Sequence, residues 1–177
     1  MKIIAITLSI IALSSNVAFA HGKKTHSEKA MFVPANLDAV HNEFGQTGNP
    51  KKVTKTIHVT MIDEMKFVPN KLSVKLGDTV RFVVKNGGET LHEMVLGRTA
   101  DLKKHSAMMM KFPGMEHSEP YMAHADEGQT AEIIWTFTKV GTFEYGCLIP
   151  GHYEAGMHGT VIVTNNEHNP EIQEASR

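Results

Sequence analysis

The sequence predicts an all-β sandwich or barrel over residues 52–165, interrupted by one long insertion that contains a short helix. Three observations predict it. Short segments alternate apolar and polar residues with the period of two that a half-buried strand requires. Glycine, proline and asparagine punctuate those segments, as in proteins built from many short strands. One connection is far longer than the rest, and part of it follows a helical spacing instead.

The strands can be justified in order. TKTIHVTMI places Ile57, Val59 and Met61 on one face and Thr56, His58 and Thr60 on the other, so His58 is expected to meet solvent. TVRFVVK alternates Val80, Phe82 and Val84 with Arg81 and Lys85, and GGETLHEMVLG sets His92 at the mouth of an apolar strand that runs to about Val95. AEIIWTFT aligns Ile133, Trp135 and Phe137, TFEYGC aligns Phe143, Tyr145 and Cys147, and GTVIVT closes the pattern near Thr164. Turns fall at Pro69-Asn70, Gly77-Asp78, Asn86-Gly87-Gly88 and Val140-Gly141.

Between Val95 and Thr130 lie more than thirty residues, too many for an idle loop in a compact domain. Within them TADLKKHSAMMMKF carries His105, Met108, Met109 and Phe112 at the i, i+3, i+4, i+7 spacing of one helix face, and Pro113-Gly114 ends the run.

The flanks read differently. Residues 1–20, MKIIAITLSIIALSSNVAFA, have one lysine, an apolar run and a small-residue exit at Ala18-Phe19-Ala20, the pattern of a secretory signal peptide. The apolar run is shorter than the roughly 20 residues a bilayer core demands, so membrane insertion is not expected, and the leader implies a periplasmic protein. Residues 21–51 form a polar N-terminal extension and residues 166–177 a polar C-terminal tail. About 157 residues remain after cleavage, enough for one domain with a real core.

Lys and Arg number 18 against 19 Asp and Glu, so no electrostatic case exists for nucleic acid or an anionic membrane. The chain has 11 Met, 11 His and a single Cys. In an oxidising compartment one cysteine cannot close an internal disulfide, which leaves an inert buried thiol, an intermolecular bridge or a metal ligand.

The segment CLIPGHYEAGM, residues 147–157, distinguishes these. Pro150, Gly151 and Gly156 make it a loop between strands rather than a helix. Strand parity points Cys147 inward with Phe143 and Tyr145, and the turn can fold His152 and Met157 back over the sulfur. A lone buried Cys is ordinarily structural and a Met at a strand entry is ordinarily core. In one ordered loop, with His92 upstream at a strand end, they form a donor set of thiolate, imidazole and thioether, which selects copper. His158 directly follows Met157 and is expected to turn away.

LHEMVLG followed by GTFEYGCLIPGHYEAGMHGTVIV resembles the cupredoxins, the family of plastocyanin, azurin and rusticyanin. The resemblance covers roughly residues 52–165 and implies a Greek-key β-sandwich or barrel. It also implies one type 1 copper, with His92, Cys147 and His152 as equatorial ligands and Met157 as the axial one. Glu93 stands where many members have an Asn that braces the cysteine loop. A binuclear copper site is excluded because it needs two cysteines in this loop, and the further domains of multicopper oxidases and copper nitrite reductases have no room here. No catalytic residues are expected, and the chain is read as a non-enzyme.

HSAMMMKFPGMEHSEPYMAH, residues 105–124, carries five methionines and three histidines. Helical packing explains Met108, Met109 and Phe112 as well as copper does; Met115, His117, Met122 and His124 lie beyond the helix stop and are the better candidates for a second, weaker copper site. His21 would be the first residue after cleavage and could chelate copper with its amine, but a flexible end is the plainer reading and it is left out of the site. The expected function is periplasmic copper tolerance, similar to that of cupredoxin-type copper-tolerance proteins, exercised by a monomer that binds copper and exchanges it or its electrons with a periplasmic redox or copper-accepting protein. The alternative is a soluble single-electron carrier. The soft insertion favours the first, and the chain shows no charged docking run of the kind that steers carrier partners.

Overall fold

The computed structural model describes residues 41–115 and 118–165. The predicted leader, residues 21–40 of the predicted extension with His21, His117, and the predicted tail from residue 166 lie outside the described residues. The described residues form eleven strands: β1 (His41–Asn42), β2 (Gly45–Thr47), β3 (Lys55–Ile62), β4 (Lys66–Val68), β5 (Lys71–Lys75), β6 (Thr79–Asn86), β7 (His92–Gly97), β8 (Met122–Ala125), β9 (Thr130–Phe137), β10 (Gly141–Gly146) and β11 (His158–Thr164). One helix, α1 (Thr99–Lys111), follows β7.

Two sheets result, one in the order β1-β2-β9-β6-β3-β4 and the other in the order β5-β11-β10-β7-β8. The chain changes sheet between β4 and β5, again between β5 and β6, and at each of the connections β6–β7, β8–β9 and β9–β10. Strands β3 and β6 run parallel, as do β5 and β11, and the other pairings are antiparallel. The apolar alternation drives this layering: Ile57, Val59, Met61, Val80, Phe82, Val84, Ile133, Trp135, Phe137, Phe143, Tyr145 and Cys147 all point into one core between the sheets.

Sheet pairing starts earlier than residue 52, inside the stretch read as a polar extension. β2 pairs with β9, setting Thr47 opposite Trp135, and Phe44 enters the core with its ring 5.1 Å from Trp135. Two strands of two and three residues carry no visible period, so the alternation rule had nothing to act on. The insertion likewise holds a strand, β8, which pairs with β7 and sets Glu93 opposite His124. Met122 and His124 therefore sit on a sheet rather than in a loop.

Helix α1 spans the predicted stretch, but its buried stripe is Leu102, Ser106 and Met109. Leu102 and Met109 pack with Val95, Met122, Leu148 and Tyr153 in a satellite cluster beside the main core. Met108, Met110 and Phe112 are exposed, so of the expected face only Met109 is buried and His105 is half-buried. The stripe is rotated because Leu102, in the first turns, anchors the helix on β7 and β10, and the residues aligned with it at i+4 and i+7 are Ser106 and Met109.

Candidate metal centre

Three strand ends meet at one end of the sandwich. β7 begins at His92, β10 ends at Gly146 and β11 begins at His158, with Gly146 paired to both Val95 and His158. Cys147 is the first residue beyond β10 and is fully buried, keeping the inward parity of the strand. Residues 149–156 then wind through successive turns: the N–H of His152 donates to the Ile149 carbonyl at 2.9 Å, and that of Met157 donates to the His152 carbonyl at 3.0 Å. The winding brings the chain back so that the Cys147 N–H donates to the Met157 carbonyl at 3.0 Å. Side chains five residues apart are thus gathered without a helix.

The gathered donors are close. Cys147 Sγ lies 3.3 Å from His152 Nδ1 and 4.0 Å from His92 Nδ1, and the three donor atoms lie within 4.8 Å of one another. Nitrogen and sulfur bound to one ion at about 2.1 and 2.3 Å can be separated by up to roughly 4.4 Å, so both sulfur–nitrogen distances fit a shared ion. Met157 is fully buried in the same core cluster as Cys147. Among the described residues, His92, Cys147 and His152 are the one group of His, Cys, Asp and Glu whose donor atoms converge in this way. His58 is exposed on β3, and His158 turns to Glu144, its Nδ1 2.9 Å from the carboxylate.

The electrostatics suit a soft cation. Burial pushes the Cys147 thiol up to about 12, and burial, followed by the neighbouring His92, holds His152 below its ordinary value. The apo site therefore keeps a neutral thiol beside a neutral imidazole. A metal ion entering here takes the place of the thiol proton.

His92 and the loop that carries Cys147 are held by further side chains, of which the sequence pointed only to Glu93. His92 is fully buried and donates from Nε2 to Asp63 Oδ1 at 2.9 Å, which leaves the Nδ1 lone pair free on the side of the sulfur. Asp63 lies in the β3–β4 turn and also accepts from the Glu89 N–H at 2.7 Å and the Thr90 hydroxyl at 2.8 Å. Those two bonds, the first above all, hold its carboxyl far below the usual carboxylate range. Buried Asn86 fixes the same crossover, its Nδ2 donating to the carbonyls of Thr90 at 2.7 Å and Ala125 at 2.9 Å. No local pattern in the sequence marks Asp63, because its role depends on a turn from one sheet reaching a strand of the other.

Glu93 braces the cysteine loop. Its side chain is fully buried, and Oε1 accepts from the N–H of Leu148, the residue after Cys147, at 2.8 Å. Oε2 lies 2.6 Å from Nε2 of His124, which raises the His124 pKa. Hydrogen bonding to Glu93 is the largest cause of that rise, with the attraction of the carboxylate charge adding to it. A second buried carboxylate, Glu144, accepts from the Tyr153 hydroxyl at 3.1 Å and ties the far side of the loop to β10. Tyr153 in turn packs against Gly146, where any Cβ would come within 2.8 Å of the ring. Helix α1 adds a third tie, from Ser106 Oγ to the Glu154 carboxylate.

The insertion residues therefore divide. Met109 and Met122 are packed in the satellite cluster, His124 faces Glu93, Met115 is half-buried against that cluster, and the thioethers of Met108 and Met110 reach solvent.

Comparison with known proteins agrees with this geometry. Residues 52–164 match the family described as copper binding proteins, plastocyanin/azurin family. A copper-resistant cuproprotein, CopI, of Rubrivivax gelatinosus is 42% identical over 156 residues, covering 88% of this chain and 93% of that protein. Its namesake in Pseudomonas aeruginosa is 34% identical over 159 residues, covering 73% of this chain and 87% of that protein. Among solved structures, reduced auracyanin from Roseiflexus castenholzii superposes with a TM-score of 0.55 at 20% identity, covering 63% of this chain and 98% of that one, a likeness of fold.

Proposed function

Since the chain belongs to the plastocyanin/azurin family of copper-binding proteins, we infer that it holds one type 1 copper between His92, Cys147, His152 and Met157 and serves copper tolerance in the periplasm. The observation that carries this reading is the buried Cys147 sulfur set 3.3 and 4.0 Å from two imidazole Nδ1 atoms. Thiolate and thioether favour Cu(I) and imidazole accepts either oxidation state, so bound copper would supply a one-electron couple at this place. The chain's own part is to keep the donors fixed in both states: Asp63 fixes the His92 tautomer, and Glu93 and Glu144 fix the loop. His152 is half-buried while His92, Cys147 and Met157 are fully buried, so exchange of copper or of an electron proceeds at the His152 edge. The leader pattern of residues 1–20 supports export. The relatives named for copper resistance favour tolerance over carriage.

Deleting the gene is expected to make cells copper-sensitive, with growth restored by the wild-type chain and not by Cys147→Ala. Normal growth under copper stress together with a respiratory defect would favour the electron carrier instead.

The second, weaker copper site of the insertion belongs to this proposal in altered form. With Met122 packed and His124 against Glu93, Met115 is the earlier candidate that remains among the described residues, and the exposed thioethers of Met108 and Met110, which point to different sides of α1, each offer one further soft donor. Wild type is expected to take up more than one equivalent of Cu(I), and Met108→Leu/Met110→Leu only one. Uptake of a single equivalent by the wild type would remove the second site.

A further inference from the structure

We propose that Asp63 is a positioning residue that sets the oxidation-state preference of the copper centre, because its carboxylate sits on the outer nitrogen of the buried ligand His92. This rests on the ligand set inferred above. The geometry is specific: Oδ1 of Asp63 is 2.9 Å from His92 Nε2, with the Thr90 hydroxyl also 3.3 Å from that nitrogen. The carboxylate comes from the β3–β4 turn of one sheet and the imidazole from the first residue of β7 in the other, so the contact joins the two layers at the site.

Its orientation is not adjustable. The Glu89 N–H and the Thr90 hydroxyl hold the same carboxylate at 2.7 and 2.8 Å, and Gly88 leaves room for it, since a Cβ there would sit 2.2 Å from Oδ1. Among the described residues no lysine or arginine forms an ion pair with Asp63, so the charge is directed at the imidazole. The His92 side chain is fully buried, where a neighbouring charge is weakly screened, although Asp63 itself is 39% exposed and part of its field is lost to water.

Two effects of this contact act in the same direction. An anion on the outer N–H makes the imidazole a stronger donor, as carboxylate partners of metal-bound histidines do. The same negative charge stabilises the more positive oxidation state of the ion. Asp63 thereby favours Cu(II) over Cu(I), which suits a protein that must retain copper in an oxidising compartment.

The test separates charge from mere placement. Asp63→Asn keeps an acceptor for the His92 N–H and removes the charge; Asp63→Ala removes both; Glu64→Gln removes a charge from the same turn without touching the imidazole. The ratio of Cu(II) to Cu(I) affinity is measured for each by competition titration or redox potentiometry. Asp63→Asn is expected to lower that ratio about tenfold, a rise of 59 mV for a one-electron couple, with Glu64→Gln within twofold of wild type. Asp63→Ala is expected also to weaken Cu(II) binding by roughly 10–100-fold. A change of less than twofold in Asp63→Asn, or an equal shift in Glu64→Gln, would overturn the proposal. Nitrogen-15 NMR of the apo wild type adds a measurement that needs no variant: His92 is expected to carry its proton on Nε2, and a proton on Nδ1 would overturn the proposal too. Failure of the ligand set itself would look different, since the wild type would then bind Cu(II) without thiolate-to-copper absorption.

Discussion

Replacing Glu93 with alanine is expected to destabilise the apo protein by about 2–3 kcal/mol, lowering its melting temperature by roughly 4–12 °C. The substitution leaves the buried Leu148 N–H without its 2.8 Å acceptor and His124 without its anionic partner. Hydrogen bonds to charged groups contribute about 1.5–3 kcal/mol, and an orphaned buried donor bears its full desolvation cost. His124 is 39% exposed and can be rehydrated, which keeps the loss below that of breaking a fully buried ion pair. Glu93→Gln keeps an acceptor for Leu148 and is expected to recover most of the stability. The two should also differ with pH. Glu93 raises the His124 pKa above its ordinary 6.5, so the stability from this pair is complete below about 6.5 and fades as pH climbs through the raised value. The gap in melting temperature between wild type and Glu93→Gln is therefore expected to shrink from pH 6 to pH 9. A gap that widened with pH would contradict the ion pair.

The larger effect on function is expected from Cys147→Ala, which should weaken copper binding by more than the roughly 10–100-fold typical of losing an outer partner of a metal ligand. Its effect on the apo fold should be modest, because a buried sulfur gives way to a methyl group and the contacts removed are those of the sulfur itself, with the His92 and His152 rings and with the backbone N–H groups of Glu93 and Ile149. Since burial holds the thiol up to about 12, the proton competes with the metal throughout the usable range. Apparent affinity of the wild type should accordingly rise about tenfold per pH unit while one proton leaves for each ion bound. Cys147→Ala should lose that dependence. Competition titrations with a chelator at three pH values measure both.

The alternating strands were legible because each carries enough residues to display a period: Ile57, Val59 and Met61, or Ile133, Trp135 and Phe137, cannot face a core in any other register. β1, β2 and β8 were not legible, since strands of two to four residues owe their existence to the neighbour they pair with. The meeting of Cys147 and His152 could be read from strand parity and a Pro/Gly turn, and that of His92 from its place at a strand mouth. Glu93 was visible as a departure from the family pattern, but its pairing with both Leu148 and His124 depends on a strand that the sequence does not announce. Asp63 was invisible because the turn that carries it reaches His92 only after the two sheets have stacked. The helix was legible in extent and rotated in phase, its methionines dividing between core and solvent where periodicity alone had placed two of them on one buried face.

The central claim is that the lone cysteine of this chain is a copper ligand. The visible spectrum of the Cu(II)-loaded protein, recorded beside Cys147→Ala at equal copper occupancy, tests it most directly. An intense thiolate-to-copper band in the wild type, absent from the variant, is the expected result. A wild type that binds Cu(II) without such a band, or a variant with the same spectrum, would contradict it.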